Sequence, residues 1–332
     1  MKTAAPPRSR PSPGNAPTTA VAIRAHAKIN LDLRVLGTRP DGFHELRTVF
    51  QSISLHDTLT FLPSAGPFTI ECRASSFPLD RTNLIWQAAD GLWRSLRRAG
   101  PVRDVVVRVD KQIPMQAGLG GGSANAAAAL MGLARFWRVH VRPAQLTDVA
   151  ATLGADVPFF LSGGTALGLG KGDEIYPLVD LAPHWIVLVV PGFGVSTADA
   201  YSLYEADRQL DRTLRPEPQH VPGPWPSRAA QMINDLEPPI ARRHPEIDQM
   251  KVALRRAGAL AAAMTGSGST VFGLFQRRRD AVAAVETLSG SGWRALVTES
   301  LGRDDYARGA RPRPVRTPRP RARRLARKRR ID

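Results

Sequence analysis

The sequence predicts an α+β fold, on three observations. Runs with strand-like alternation and runs with helical spacing are mixed along the chain without a strict strand–helix repeat, which argues against an all-parallel sheet. Turn signals join neighbouring strand-like runs directly, as in hairpins: Pro40-Asp41-Gly42 in one place, the glycines after Met264 in another. The length, 332 residues of which 43% are hydrophobic, is enough for one large or two medium cores.

The elements follow in order. Residues 21–37 (VAIRAHAKINLDLRVLG) alternate as a strand, and 47–63 read as a second one after the Pro-Asp-Gly turn. Residues 83–100 carry apolar side chains at helical spacing and stop at Gly100. DVVVRVDKQIP (104–114) is β-branched and strand-like, and a helix is expected from near Ser123 to about Phe136. Residues 142–154 give a short helix. Residues 154–178 start as a loop and become a glycine-rich hairpin. A second half begins with the buried strand HWIVLVVPG (184–192), followed by a helix over 196–210 and a proline-rich surface link at 215–227. Two helical stretches separated by prolines occupy 228–258. A strand, a glycine turn and a strand fill 259–275, a helix 279–292, and a closing strand 293–300. No internal repeat is visible.

The net charge is +17, and its position matters more than its size. From Ala307 onward there are 12 Arg and Lys against Asp332 alone, and Lys2, Arg8 and Arg10 precede the first strand. The folded part is thus nearly balanced. The sequence predicts a disordered arm at 1–20 and a disordered basic tail at 303–332. The tail reads either as a solvated appendage or as a weak, salt-sensitive contact with nucleic acid or an acidic partner. The arm lacks the apolar core of a secretory signal. A single cysteine, Cys72, excludes an internal disulfide and fits a cytoplasmic protein. No apolar run approaches the roughly 18 residues of a membrane helix.

Residues 118–129, GLGGGSANAAAA, carry the chemical signal. Glycine frees the backbone and lets a ligand touch it, and alanine is the best helix former. A bare loop feeding a helix start offers unpaired N–H groups and about half a positive charge, a seat for phosphate. The other reading is a tight turn before a buried helix. The lysine of a Walker A loop is missing before Ser123, and Ser123 stands where the dinucleotide fingerprint has its last glycine.

In context the loop, PMQAGLGGGSANAAAA, resembles the ATP loop of the GHMP kinases, and MTGSGSTVFGLF (264–275) resembles their C-terminal glycine motif. Within that superfamily AKINLDLRVLGTRPDGFHEL, DKQIPMQAGLGGGSANAAAAL, GADVPFFLSGGTALGLGKGDEI and NDLEP, in this order, resemble the 4-diphosphocytidyl-2-C-methyl-D-erythritol kinases of the non-mevalonate route to isoprenoids. The resemblance covers roughly residues 21–300. It implies two lobes: a ribosomal-protein-S5-domain-2-like N-terminal domain at 21–182 with the ATP loop and catalytic residues, and a ferredoxin-like C-terminal domain at 183–302. It implies ATP with Mg²⁺, and the cytidine-diphosphate methylerythritol as acceptor.

By the same resemblance Lys28 and Asp156 are the catalytic pair, with a structural ion pair as the other reading. A lysine in an apolar strand asks independently for an acid. Gly118, Leu119, Gly120, Gly121 and Gly122 would cradle the phosphates after Pro114, and Asn83 and Lys111 would lie near the adenosine. Asn125 would lie near the phosphates or the reacting centre. Ser123 could cap the helix, touch a phosphate or hold the metal. Phe43, where the family usually has tyrosine, would stack on cytosine, with His44 reading the ring edge and Tyr201 supplying the opposite face. Core packing is the other reading of Phe43, and a structural role that of His44. Asn30 would hold the methylerythritol end, and Gly266, Ser267 and Gly268 would line the substrate. His26 stands where the family commonly has proline. Two rivals remain: a homoserine- or mevalonate-type GHMP kinase, and a nucleic-acid-binding protein acting through its tail.

Overall fold

The computed structural model describes residues 19–210 and 232–315, with nothing placed for the side chain of Leu210. The proline-rich link at 215–227, most of the arm and the tail beyond 315 lie outside the described residues. The first lobe is built on β1 (Ala20–Thr38) and β2 (His44–Pro67), a long antiparallel pair joined through the Pro-Asp-Gly turn. Its seven-stranded sheet runs β11 (Arg313–Val315), β1, β2, β4 (Arg103–Asp110), β3 (Thr69–Cys72), and the hairpin β5 (Thr165–Leu169)–β6 (Glu174–Pro177) is paired to β2. All these pairs are antiparallel except β3 with β4.

Helices α1 (Leu84–Ser95), α2 (Gly121–Phe136) and α3 (Pro143–Leu153) cover this sheet and share one core with Phe61, Phe68, Val107 and Phe159. In α2 every residue from Ala124 to Leu130 is buried. A helix enclosed on nearly every side needs small residues, which is why five of those seven are alanine. The short α4 (Phe159–Ser162) leads into β5.

The second lobe is a four-stranded antiparallel sheet, β10 (Arg294–Glu299), β7 (Trp185–Val190), β9 (Val271–Phe275), β8 (Ala261–Met264). Helices α5 (Thr197–Leu210), α6 (Glu237–Arg243), α7 (Glu246–Arg256) and α8 (Arg278–Leu288) accompany it, and its core includes Val187, Ile240, Met250, Leu254 and Phe275. A third apolar cluster joins the lobes: Ala27, Ile29 and Leu31 of β1 and Ala117 and Leu119 of the glycine loop pack with Ile186, Leu188 and Phe272.

Two expectations are corrected here. Residues 303–315 are structured, not a disordered tail: α9 (Arg303–Gly309) and β11 return to the first lobe, and β11 pairs with β1 in the register Ala20↔Val315. The anchor is Tyr306, 3% exposed, whose hydroxyl donates to the Phe160 carbonyl at 2.5 Å. Ala20 likewise belongs to β1 and not to the arm. The strand at 293–300 is therefore not the last element.

Candidate active site

The site grows from β1. Lys28 and Asn30 project from the same face of this strand, two residues apart. The Lys28 ammonium donates to Asn30 Oδ1 at 2.6 Å and lies 3.3 Å from Asp156 Oδ2. Lys28 is 4% exposed, whereas the Asp156 side chain is 31% exposed, so the pair has a buried cation and a carboxylate that solvent reaches. Asp156 stands just before α4, ahead of the buried Val157, Phe159 and Phe160. The amide of Asn30 donates to Thr48 Oγ1 at 2.7 Å, and its backbone N–H to Thr265 Oγ1 at 2.9 Å. Both ends of the Asn30 side chain are thus fixed, and Lys28 is held by a group that cannot turn away.

The glycine loop lies against this strand: the Lys28 N–H donates to the Leu119 carbonyl at 3.1 Å. Gly118 and Gly120 have φ of +73° and +68°. A Cβ on Gly118 would fall 2.1 Å from the Thr265 carbonyl oxygen, and one on Gly120 would fall 2.8 Å from the Phe160 ring and 3.0 Å from the Lys28 stem. Both positions therefore demand glycine twice over, by conformation and by space. The loop passes directly into α2, whose N-cap is Gly120. The helix begins at Gly121 and not near Ser123, because the left-handed turn at Gly120 already lets its carbonyl accept from the Ala124 N–H at 2.8 Å. Ser123 consequently sits inside the first turn and does not cap it; its hydroxyl has no hydrogen bond among the described residues. The N–H groups of Gly121, Gly122 and Ser123 are left without intrahelical acceptors.

The second glycine turn closes on the first. The Gly268 N–H donates to the Thr265 carbonyl, and the Cα of Gly266 faces the Gly118 carbonyl, Lys28 Nζ and Asn30 Oδ1. Ser267 is half-buried, with its hydroxyl 3.5 Å from that of Thr197. Lys111, after β4, forms a buried ion pair of 2.9 Å with Asp57, donates to the Ile113 carbonyl and reaches the start of α2 beside Gly121. Burial holds its pKa below the ordinary lysine value, against the opposing charge of Asp57. Pro114 lies half-buried in the connection between Lys111 and the loop.

Asn83 is the N-cap of α1: its Oδ1 accepts from the Ile85 N–H at 2.9 Å, and its amide donates to the Pro78 carbonyl. It neighbours the loop through Leu84, which faces Gly122. Asn125 is 1% exposed, and neither its amide nor its carbonyl oxygen has a partner among the described residues.

The face formed by His44, Phe43 and Tyr201 differs from the expected sandwich. His44, not Phe43, lies against Tyr201, with ring centres 4.6 Å apart and nearly parallel planes. The reason is Glu205, one helical turn beyond Tyr201, whose Oε1 is 2.7 Å from His44 Nε2 and draws the ring onto the helix. Phe43 stands 57% exposed at the turn, with the Lys171 ammonium 4.8 Å from its ring centre. Tyr201 is half-buried, and burial together with the nearby charge of Asp156 raises its pKa.

Several residues that shape the site carry no expected role in the sequence. Asn234, in NDLEP, donates to the carbonyls of Met264 and Gly266 at 2.9 and 2.8 Å, and Glu237 accepts from the Met264 N–H at 2.7 Å. Thr265, Thr48 and Asp57 complete the frame. Among the described residues there is no group of three His, Cys, Asp or Glu side chains able to hold a metal, and no helix long and apolar enough to cross a membrane.

Two lobes meeting at paired glycine turns, with a lysine and an aspartate between them, define the GHMP kinase class. The family of GHMP kinases N terminal domains matches residues 83–164, and that of GHMP kinases C terminal domains residues 225–295. A 4-diphosphocytidyl-2-C-methyl-D-erythritol kinase of Pelotomaculum thermopropionicum is 45% identical over 76% of this chain and 88% of the relative. One of Solibacter usitatus is 45% identical over 80% and 84%. A crystal structure of 4-(cytidine 5'-diphospho)-2C-methyl-D-erythritol kinase superposes with a TM-score of 0.68 at 33% identity, covering 85% of this chain and 99% of the other. Homoserine kinase from Cytophaga hutchinsonii, 17% identical with a TM-score of 0.64 over 90% of this chain and 98% of its own, shares the fold. The chain belongs to the family of 4-diphosphocytidyl-2-C-methyl-D-erythritol kinases.

Proposed function

We propose that the protein transfers the γ-phosphoryl group of ATP to the 2-hydroxyl of 4-diphosphocytidyl-2-C-methyl-D-erythritol, as a cytoplasmic enzyme of the non-mevalonate route to isoprenoid precursors. The observation that carries this reading is the Lys28 ammonium, buried and held between Asn30 and Asp156 at the point where both glycine turns converge.

Phosphoryl transfer asks a protein to align donor and acceptor and to offset charge on the moving group. Residues 118–122 supply a bare backbone turn, held against Thr265 and Phe160 so closely that Gly118 and Gly120 admit no Cβ, and the free N–H groups at the start of α2 point positive charge at the terminal phosphates. Asn125 fits this use. A buried amide without a partner costs about 1–3 kcal/mol, so a polar ligand beside it removes a penalty the protein otherwise carries. Asn83, Lys111 and Pro114 border the nucleotide side. Asp156, which solvent reaches, accepts the hydroxyl proton as the new P–O bond forms, while Lys28 offsets negative charge and orients the alcohol. Asn30, Gly266, Ser267 and Gly268 enclose the acceptor end, and Phe43, His44 and Tyr201 supply aromatic surface for the base.

Mg²⁺ bound to a nucleoside triphosphate keeps several waters and takes only one or two protein oxygens, so it does not require an acidic trio of side chains. The Ser123 hydroxyl in the first turn of α2 would hold it, and the ion would neutralise phosphate charge.

The test is a panel of acceptors with radiolabelled ATP. Label should pass to the cytidine-diphosphate methylerythritol and not to homoserine or mevalonate. Transfer to either of those instead, or ATP turnover independent of any acceptor, would overturn the assignment.

A further inference from the structure

We infer that the face of the first lobe where the strap of α9 and β11 and the last turn of α2 line a common cavity is a docking surface for the phosphodiester backbone of a nucleic acid. The strap formed by residues 303–315 brings Arg308, Arg311 and Arg313 beside Arg135, and together with Pro312 and Pro314 these arginines line a cavity of about 710 Å³. All four arginines are exposed. Arg308 has Asp305 as its partner, and Arg313 donates to the Arg308 carbonyl at 2.8 Å. Arg135 and Arg311 form no ion pair among the described residues, and neither does the exposed Arg138 one turn further on.

Arginines gathered on one face repel each other, and Arg135 and Arg311 do so without a carboxylate beside them, so the face favours something negative lying across it; the planar fork of arginine matches phosphate oxygens in pairs. The shape favours an extended polyanion over a small phosphorylated metabolite. The cavity lining is arginine and proline at the surface, with no buried polar group to orient a compact ligand. The sequence extends the same chemistry, since the 17 residues after Val315 add nine Arg and Lys against one acid. No aromatic side chain lines the cavity to stack on bases, so recognition is of the backbone, without sequence preference and strongly salt-dependent. The face lies at the far end of α2 from the glycine loop, about 24 Å for a helix of 16 residues, so an occupant leaves the cleft open.

The test uses the full chain and fluorescein-labelled RNA and duplex DNA of about 20 nucleotides per strand and arbitrary sequence. Anisotropy is read from about 50 to about 300 mM KCl. Log Kd should rise linearly with log salt for both. The double variant Arg135→Ala/Arg311→Ala should bind at least about tenfold more weakly at the low-salt end and lose about two from the slope, with kinase turnover unchanged. Three results would overturn the inference: no binding at low salt; a double variant that binds like the parent, which would leave the terminal residues acting alone; or poly-glutamate competing as well per charge as RNA, which would point to an acidic protein instead.

Discussion

At the scale of single residues, the site depends on side chains that have only one way to sit. Asp156→Asn keeps the shape and removes the carboxylate proposed to accept the hydroxyl proton. Turnover should fall by about 10²–10⁴-fold while binding of labelled ATP, measured by equilibrium dialysis, stays within a few-fold. Near-normal turnover would remove Asp156 from the chemistry. Gly118→Ala should act differently, since its new Cβ meets the Thr265 carbonyl at 2.1 Å. Overpacking of this kind costs about 1–3 kcal/mol, and here it also parts the two glycine turns, so both stability and nucleotide binding should suffer. A variant with unchanged melting temperature and ATP affinity would contradict the described contact. The glycine loop was legible because four glycines in five positions are extreme, and a lysine in an apolar strand announced its need for an acid; that the acid is Asp156 came from the family resemblance, and the structure pairs the two at 3.3 Å. Thr265 and Asn234 were not, because a threonine hydroxyl that meets Asn30 across 235 positions of sequence leaves no local trace.

At the scale of elements, the C-terminal strap shows what composition hides. Arginine-rich surroundings make residues 303–315 look like solvated chain, yet α9 has acids in its first turn and a buried tyrosine on its inner face. The decisive contact is with Gly163 and Phe160, far away in sequence, so the local pattern could not reveal it. Removing residues 303–332 strips Tyr306 and the edge strand from the first lobe and should cost roughly 3 kcal/mol or more, several degrees of Tm in a thermal melt. Removing only 316–332 should leave the melt unchanged. Equal melts for the two truncations would deny the strap a structural role. The start of α2 illustrates the converse: Ser123 looks like a cap by type, and only the left-handed turn at Gly120 shows that the helix has already begun.

At the scale of the whole molecule, the two lobes share their apolar contacts through β1, and His26 marks where that strand is sealed by the strap. His26 is 4% exposed, neither ring nitrogen has a partner among the described residues, and His56, Tyr306 and Gly309 surround it. Burial, with the charges of His56 and Arg24 adding to it, lowers its pKa from 6.5 to about 4. The unfolded chain therefore takes up a proton as pH drops through 6.5, while the folded chain stays neutral until about 4. Stability is full above 6.5 and is lost progressively across that window, by roughly 3 kcal/mol at its lower end. In His26→Leu the fall in Tm between about pH 7 and about pH 4.5 should be smaller than in the parent. Parallel curves would show that the acid sensitivity lies elsewhere.

Because Ala20 lies opposite Val315 on neighbouring strands, the described chain starts and finishes at one place. A few glycines and serines would bridge the gap, and new ends could be opened at the turn near Gly290. Such a circularly permuted protein should keep its kinase chemistry, since the order in which the polypeptide is threaded is separate from the cage it builds.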